Sequence, residues 1–344
     1  MIRWNNDYNH GAHPAILEAL QTTNANSYDG YGLDDYCEAA KAEIKKYLGG
    51  ANADIHFMVG GTQVNFTVIA AALRPFESVI SAKSGHINDH ETGAVENTGH
   101  KIHALEAIDG KISAAQIAAE AQSFCDSGTK EHITQPKLVY LSFPTEFGTL
   151  YSKAELEAIR TVCDQYDLYL MVDGARMGYG LTAPTNDVTL EDLARLADVF
   201  YIGGTKCGAL FGETVVIINN NLKPHFRSYM KQNGGMLAKG WLLGLQFHTL
   251  FKNGLYFEIT KKANDDAMKL KQAFIDKGIP FYIESSTNQQ FPILTTAQMD
   301  QLTKNHSISY IAKVDEDRHC VRFCTAWSTL PEDLNVLLSD IAAL

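Results

Sequence analysis

The sequence predicts an α/β fold: a large, doubly wound, mostly parallel sheet followed by a smaller α+β domain. Three observations predict it. Between about residues 50 and 220, strand-like apolar runs alternate with segments of helical spacing. Those strands, "LYLMV" and "KLVYL" among them, are continuous apolar runs rather than alternating ones. A parallel sheet covered on both faces requires that pattern. From about residue 222 the texture changes to a long helical stretch, then short strands and a closing helix. The 344 residues suit one large domain and a smaller one. The expected partition is an N-terminal arm with helices over 1–48, a large domain over 49–221, and linker helices with a small domain over 222–344.

Residues 1–35 are rich in Asn, Asp, Gly and Tyr and read as an irregular arm. Within it "HPAILEALQTT" is a short helix with Pro14 near its start. "DDYCEAAKAEIKKYLG" has helical apolar spacing and stops at Gly49. "ADIHFMVGG" is a strand running into a glycine turn, and "TQVNFTVIAAALR" a largely buried helix leaving that turn. Then follow the strand "SVISAK", the helix "AAQIAAEAQSFCD" and the strand "KLVYLSFP". The next helix, "SKAELEAIRTVCDQY", carries a capping box of Ser152 and Glu155. After it come the strand "LYLMVDGAR", the helix "TLEDLARLA" and the strands "DVFYIGGTK" and "TVVIIN". Beyond the helical stretch, "PFYIES", "QFPILT" and "HCVRFCTAW" read as strands and "PEDLNVLLSDIAAL" as the closing helix.

Composition excludes several classes of partner. A net charge of −11 argues against a nucleic-acid backbone or an anionic membrane. No apolar run is long enough to span a membrane. The N-terminus has no apolar h-region, so no signal peptide is expected. The six cysteines are scattered and form no C-x-x-C pair. A reducing cytoplasm is the expected compartment.

In an open parallel sheet, ligands sit beyond the carboxyl ends of the strands. Five polar clusters are expected there: Gly60-Gly61-Thr62-Gln63, Ser84-Gly85-His86, Thr145-Glu146, Asp173-Gly174-Ala175-Arg176 and Thr205-Lys206. The glycine turn opens a helix, whose free amides and dipole favour a phosphate. The same turn reads equally as a plain tight turn. Asp173 ends an apolar strand and needs a cationic partner, either Arg176 or a protonated heterocyclic nitrogen. Lys206 lies in "YIGGTKCGALFG", ringed by small residues that suggest a bulky group against the turn. Partly desolvated there, its amine would be nucleophilic toward an aldehyde. A lysine Schiff base with an acid for the pyridinium nitrogen is the arrangement that binds pyridoxal 5′-phosphate, PLP.

The stretch "SGHINDHETGAVENTGHKIH" holds His86, His90, His100 and His103, and reads as a loop. No pair has the H-E-x-x-H helical spacing, so no metal is expected. His86 suits stacking on a flat cofactor ring, and the other three read as surface or loop residues. Arg322, in "HCVRFCTAW", reads as a ladder residue or, if the small domain closes, as a clamp for a substrate carboxylate.

Together these residues match a known group. The chain resembles the low-specificity L-threonine aldolases and the wider β-eliminating lyases, which are fold-type I, aspartate aminotransferase-like PLP enzymes. The resemblance runs nearly end to end, through "GGTQVN", "GHINDHETGA", "VDGARM", "GGTKCGALFG", "GGM" and "VRFCT". It implies that Lys206 joins the cofactor as an aldimine, that Asp173 pairs with the pyridine nitrogen and that His86 stacks on the ring. Gly61, Thr62, Gln63 and Thr205 would hold the phosphate. Arg176 and Arg322 would hold the substrate carboxylate, helped by Asn6. It also implies a homodimer or homotetramer with the site at a subunit interface, where "YDGYGLDD" would reach a neighbour.

Two departures stand out. These aldolases carry Asn-Thr-His before a glycine after the central strand; here "PTEFG" puts Glu146 at the histidine's place. Glu146, then His86, are the candidate bases for the substrate hydroxyl. The family's "GGGMRQ" is "GGMLAKG" here, so Leu237 replaces an arginine and Lys239 would supply the charge. The implied reaction cleaves a β-hydroxy-α-amino acid to glycine and an aldehyde. The alternatives are β-elimination to pyruvate and ammonia, a non-catalytic PLP-fold protein, or a metal hydrolase built on the histidine-rich stretch.

Overall fold

The computed structural model describes residues 1–344. The strands are β1 (Ile2–Arg3), β2 (Asp54–Met58), β3 (Glu77–Ala82), β4 (Ile102–Leu105), β5 (Gln135–Ser142), β6 (Tyr169–Asp173), β7 (Val199–Gly203) and β8 (Glu213–Ile217). Those of the C-terminal part are β9 (Phe281–Ile283), β10 (Gln289–Thr295), β11 (His306–Ser307), β12 (Ser309–Lys313) and β13 (Arg318–Cys324). The large sheet has the order β2-β8-β7-β6-β5-β3-β4. Every neighbouring pair is parallel except those that β8 makes with β7 and β2. The exception has a local cause. β7 and β8 are joined by the short turn 204–212 with no crossover helix, and so short a link makes only an antiparallel pair. Lys206 therefore sits in a hairpin.

The continuous apolar strands do bury both faces. Along β5 and β6, Val139, Leu141 and Val172 enter one core, while Leu138, Tyr140 and Met171 enter the other. The first of these cores also takes Ile16, Cys37 and Ile44 from the N-terminal helices and Leu243, Phe247 and Tyr256 from the helices after residue 240. Helix ends form where the capping residues predict. Ser152 and Glu155 make a reciprocal capping box, as do Ser113 with Gln116 and Thr189 with Asp192.

The C-terminal strands form an antiparallel sheet of order β12-β13-β10-β9. The N-terminal arm is tied to this domain. β1 pairs with β11, and Trp4 lies in the small-domain core with Leu270, Phe274 and Val321. One expectation is corrected. The stretch after His86 is not all loop: β4 forms the sheet's edge, and its half-exposed, short "IHAL" run gives little sequence signal. His100 and His103 are correspondingly not surface residues. His100 is buried with Nδ1 bonded to the Glu77 carbonyl, and half-buried His103 joins Glu120 and Thr134. His90 is exposed beside Asp89. No helix is long and apolar enough to cross a membrane.

Candidate active site

The loops after β2, β3, β5, β6 and β7 converge on one cleft of about 370 Å³. Gly60, Gly61, Thr62, His86, Glu146, Asp173, Arg176, Thr205 and Lys206 all line it, together with Tyr8 from the arm and Glu213 from β8.

Gly60 caps the helix Gly61–Ala72 without any side-chain hydrogen bond. Its carbonyl receives Val64 N–H at 3.1 Å, the first amide the helix itself uses. A Cβ placed on Gly60 would meet nothing within 4 Å, so the turn faces open space. These are the features of an anion cradle.

Asp173 is 4% exposed. Its Oδ1 accepts Ala175 N–H at 2.9 Å, and its Oδ2 accepts Asn65 Nδ2 at 3.2 Å and the Tyr140 hydroxyl. Burial, and then the nearby Asp173, Glu146 and Glu91, push the Tyr140 phenol up, so it stays a donor. Asn65 also donates to buried Glu91 at 2.7 Å, and Glu91 holds His86 Nδ1 at 2.7 Å. Burial opposes a charged imidazole, but the Glu91 hydrogen bond and the Asp173 charge raise the His86 pKa overall. Backbone and ring are thus both fixed, since His86 N–H donates to Glu146 Oε1 at 3.0 Å. Glu146 also accepts the Ser142 hydroxyl at 2.6 Å, and burial raises its carboxyl above the usual range.

Lys206 shares the cleft with three carboxylates, Glu146, Asp173 and Glu213, and the Arg176 guanidinium. Burial, reinforced by Arg176, lowers its ammonium pKa. The glycines around it serve the protein's own packing rather than a bulky group. A Cβ on Gly203 would sit 2.3 Å from the Ala175 carbonyl oxygen, and one on Gly204 2.7 Å from that of Gly212. Glu213 accepts Gly204 N–H at 3.0 Å and stands beside the Thr205 hydroxyl. Burial raises its carboxyl well above the usual glutamate range.

Arg176 does not pair with Asp173. Its Nε and Nη2 grip Asp7 at 2.7 and 3.0 Å, the Asp7 side chain being fully buried and that of Arg176 partly so. Asp7 also accepts Asn288 Nδ2 at 2.9 Å. Burial works against its charge, but Arg176 and Lys206 hold its carboxyl down at about 2.

Four expected site residues lie apart from the cleft in this chain. Gln63 turns its amide to the Asn233 carbonyl at 3.1 Å and to Val59 N–H. Lys239 is exposed. Asn6 caps Tyr8 N–H and borders a second cavity beside Met1 and Leu330. Arg322 donates to Gln289 Oε1 at 3.2 Å and the Asn5 carbonyl at 3.1 Å, and its buried Nε has no partner. Sequence reasoning missed Asp7, Asn65, Glu91, Tyr140 and Glu213. A signal existed only for Asn65, a polar residue on the buried face of an apolar helix.

A family model described as beta-eliminating lyase matches residues 9–297. The chain belongs to this family. A low specificity L-threonine aldolase of a Pseudomonas species is 26% identical over 97% of this chain and 95% of its own. One from Pseudomonas aeruginosa is 26% identical over 96% and 94%. A structure described as Leishmania major threonine aldolase is 41% identical, with a TM-score of 0.97 over 100% of this chain and 99% of that one. An aspartate aminotransferase of Thermus thermophilus shares the fold alone, at 15% identity and a TM-score of 0.69 over 99% and 96%.

The protein is a PLP-dependent lyase of fold type I. The residues present fit that cofactor. An uncapped helix end facing open space suits a phosphate, buried Asp173 suits a protonated ring nitrogen, and a depressed lysine in the same cleft suits an aldehyde. The Asn65 Oδ1 and Glu91 Oε2 atoms, buried beside Asp173 and His86, have no partner within the chain.

Proposed function

We propose that this chain cleaves β-hydroxy-α-amino acids of the threonine and allo-threonine kind to glycine and an aldehyde. The observation that carries the reading is the convergence of Lys206, Asp173 and the uncapped Gly60 turn on one cleft. Bound PLP supplies an electron sink for the pair left when the Cα–Cβ bond breaks.

The residues divide the remaining work. Gly61, Thr62 and Thr205 hold the phosphate, and Lys206 the carbonyl carbon. Asp173, itself held by Asn65, Tyr140 and Ala175 N–H, keeps a proton on the ring nitrogen. His86, oriented by Glu91, covers the ring face. Glu146 is placed to take the proton of the substrate β-hydroxyl. Its raised pKa makes it a stronger base than an exposed carboxylate, and Ser142 and His86 N–H both hold Oε1, which orients the carboxylate and leaves Oε2 to act. Arg322 is the better candidate for the substrate carboxylate, since its guanidinium rests on neutral acceptors that a carboxylate can displace. Arg176 spends two of its donors on Asp7 and keeps Nη1 for the cleft.

The reading extends to the assembly and the compartment. Tyr8, Leu17, Tyr31, Leu33 and Leu210 are large apolar side chains left exposed, and Tyr8 lines the cleft itself. A second copy of the chain covering them, as a homodimer or homotetramer, supports a site at the subunit interface, where exposed Lys239 would face a neighbour's phosphate. Sedimentation of the purified protein as a monomer would remove that part. The six cysteines are free thiols, in keeping with a cytoplasmic location.

The first test is the visible spectrum with added PLP, wild type beside Lys206→Ala, followed by product analysis with threonine. The visible band of lysine-bound PLP is expected in the wild type alone, with glycine and acetaldehyde as products. Pyruvate-type keto acid and ammonia would instead indicate elimination, and absence of the band would remove the PLP reading.

A further inference from the structure

We propose that the cofactor's phosphate binds against a protonated Glu213, so that the enzyme takes up one proton at this side chain as it takes up PLP. The inference rests on PLP occupying this cleft with its phosphate at the Gly60–Gly61 turn.

The argument begins with register. Glu213 opens β8, and its Cα partners are Met58 on β2 and Gly203 on β7. Those two residues end their strands, and the chain then runs directly into the two loops that supply the phosphate donors, residues 59–62 and 204–206. Glu213 therefore lies between them. Its carboxylate already uses a donor of the second loop, the Gly204 N–H at 3.0 Å, and stands beside the Thr205 hydroxyl. The side chain is 3% exposed and lines the same cleft as Gly60, Gly61, Thr62 and Thr205.

A phosphate monoester carries close to two negative charges near neutrality. A second buried anion competing for the same donors would repel it in a site of low dielectric. Protonation removes the repulsion and turns one Glu213 oxygen from acceptor into donor. The rest of the surroundings leave the proton to Glu213. Lys206, the one cation of the neighbouring loop, is the group whose amine the cofactor consumes. Asp173 on β6 is a further anion. Tyr201, Cys207 and Tyr256 also face Glu213, and burial keeps all three protonated. On β2 the nearest titratable side chain, His56, lies opposite Val215 rather than Glu213. The helix Gly61–Ala72 carries no titratable group. Burial raises the Glu213 carboxyl toward the range where this uptake occurs.

The test is titration calorimetry of the cofactor-free enzyme above the Glu213 transition, in two buffers of different ionisation enthalpy. PLP and pyridoxal, which lacks the phosphate, are each added to wild type, Glu213→Gln and Glu213→Ala. Both ligands react with the same lysine, so protons moved by that chemistry cancel between them. The expected result is one more proton taken up with PLP than with pyridoxal in wild type, and no such excess in either variant. In wild type alone, PLP affinity should fall about tenfold per pH unit above the transition, while pyridoxal affinity does not follow. Equal proton counts for PLP in wild type and Glu213→Gln overturn the proposal, as does a wild-type PLP affinity that tracks that of pyridoxal. Failure of wild type to give the visible band of bound PLP would sink the cofactor placement itself, a different result from a band without the proton.

Discussion

Asp7 shows how much of the site depends on single residues with distant partners. It grips Arg176, 169 positions away, with two hydrogen bonds, and Asn288 from the small domain with a third. Removing one member of a buried pair leaves the other charge uncompensated, which costs about 3–5 kcal/mol. Asp7→Asn should destabilise the fold by about that much in urea unfolding at neutral pH. The pH dependence has a definite sign. A carboxyl held near 2, against its ordinary 3.8, stabilises the fold above the ordinary value and loses that contribution as pH falls through about 2. The gap in unfolding free energy between wild type and Asp7→Asn should therefore narrow by about 2 kcal/mol on acidification across that window. A gap unchanged by acid would remove the ion pair as its source. No local pattern in "WNNDYN" marks Asp7 out, because its partner is found only through the fold. Glu91 and Glu213 are hidden for the same reason. Lys206, Asp173, His86 and Glu146 were legible because each follows an apolar strand, and strand ends share one edge of a parallel sheet.

The strands were legible as elements because a run such as "LYLMV" has no soluble alternative to burial on both faces. The antiparallel direction of β8 and the edge strand β4 were not, because direction depends on the length of a turn and a short edge buries none of its residues fully. At the same scale the glycines around Lys206 have a structural cause. Gly203 N–H donates to the Gly174 carbonyl at 2.8 Å, so the ends of β6 and β7 touch backbone to backbone. A Cβ on Gly174 would fall 1.9 Å from the Tyr201 carbonyl oxygen. This contact sets the spacing between Asp173 and Lys206. Gly174→Ala must push the two strand ends apart, an overpacking cost of about 1–3 kcal/mol or more. The expected outcome is a lower melting temperature together with a shifted visible band of bound PLP, because ring nitrogen and aldehyde are then held at altered spacing. A variant that melts lower with an unshifted band would place the strain elsewhere in the sheet.

Across the whole molecule, the N-terminal arm is a strap between domains. Trp4 is 2% exposed in the small-domain core, its Nε1 donates to His306, and its carbonyl accepts Cys324 N–H at 2.7 Å. Asn5 gives its carbonyl to Ser309 and Arg322, and two residues later Asp7 reaches Arg176 of the large domain. The strap thus carries the small domain's position to the cleft, touching both arginines proposed for the substrate carboxylate. The groups proposed to hold PLP belong to the large domain, and among them Lys206 feels the strap through the charge of Asp7. Trp4→Ala opens a cavity in a buried cluster and should cost about 3–5 kcal/mol in urea unfolding. Its functional effect should split by ligand. The visible band of bound PLP should persist at unchanged cofactor affinity, while the affinity for glycine, read from the change it causes in that band, should fall several-fold. Loss of PLP in step with stability would mean that the arm supports the fold as a whole. Retention of glycine affinity would mean that the arginines keep their places without the strap, and that the small domain is positioned by its contacts with the helices 241–276 instead.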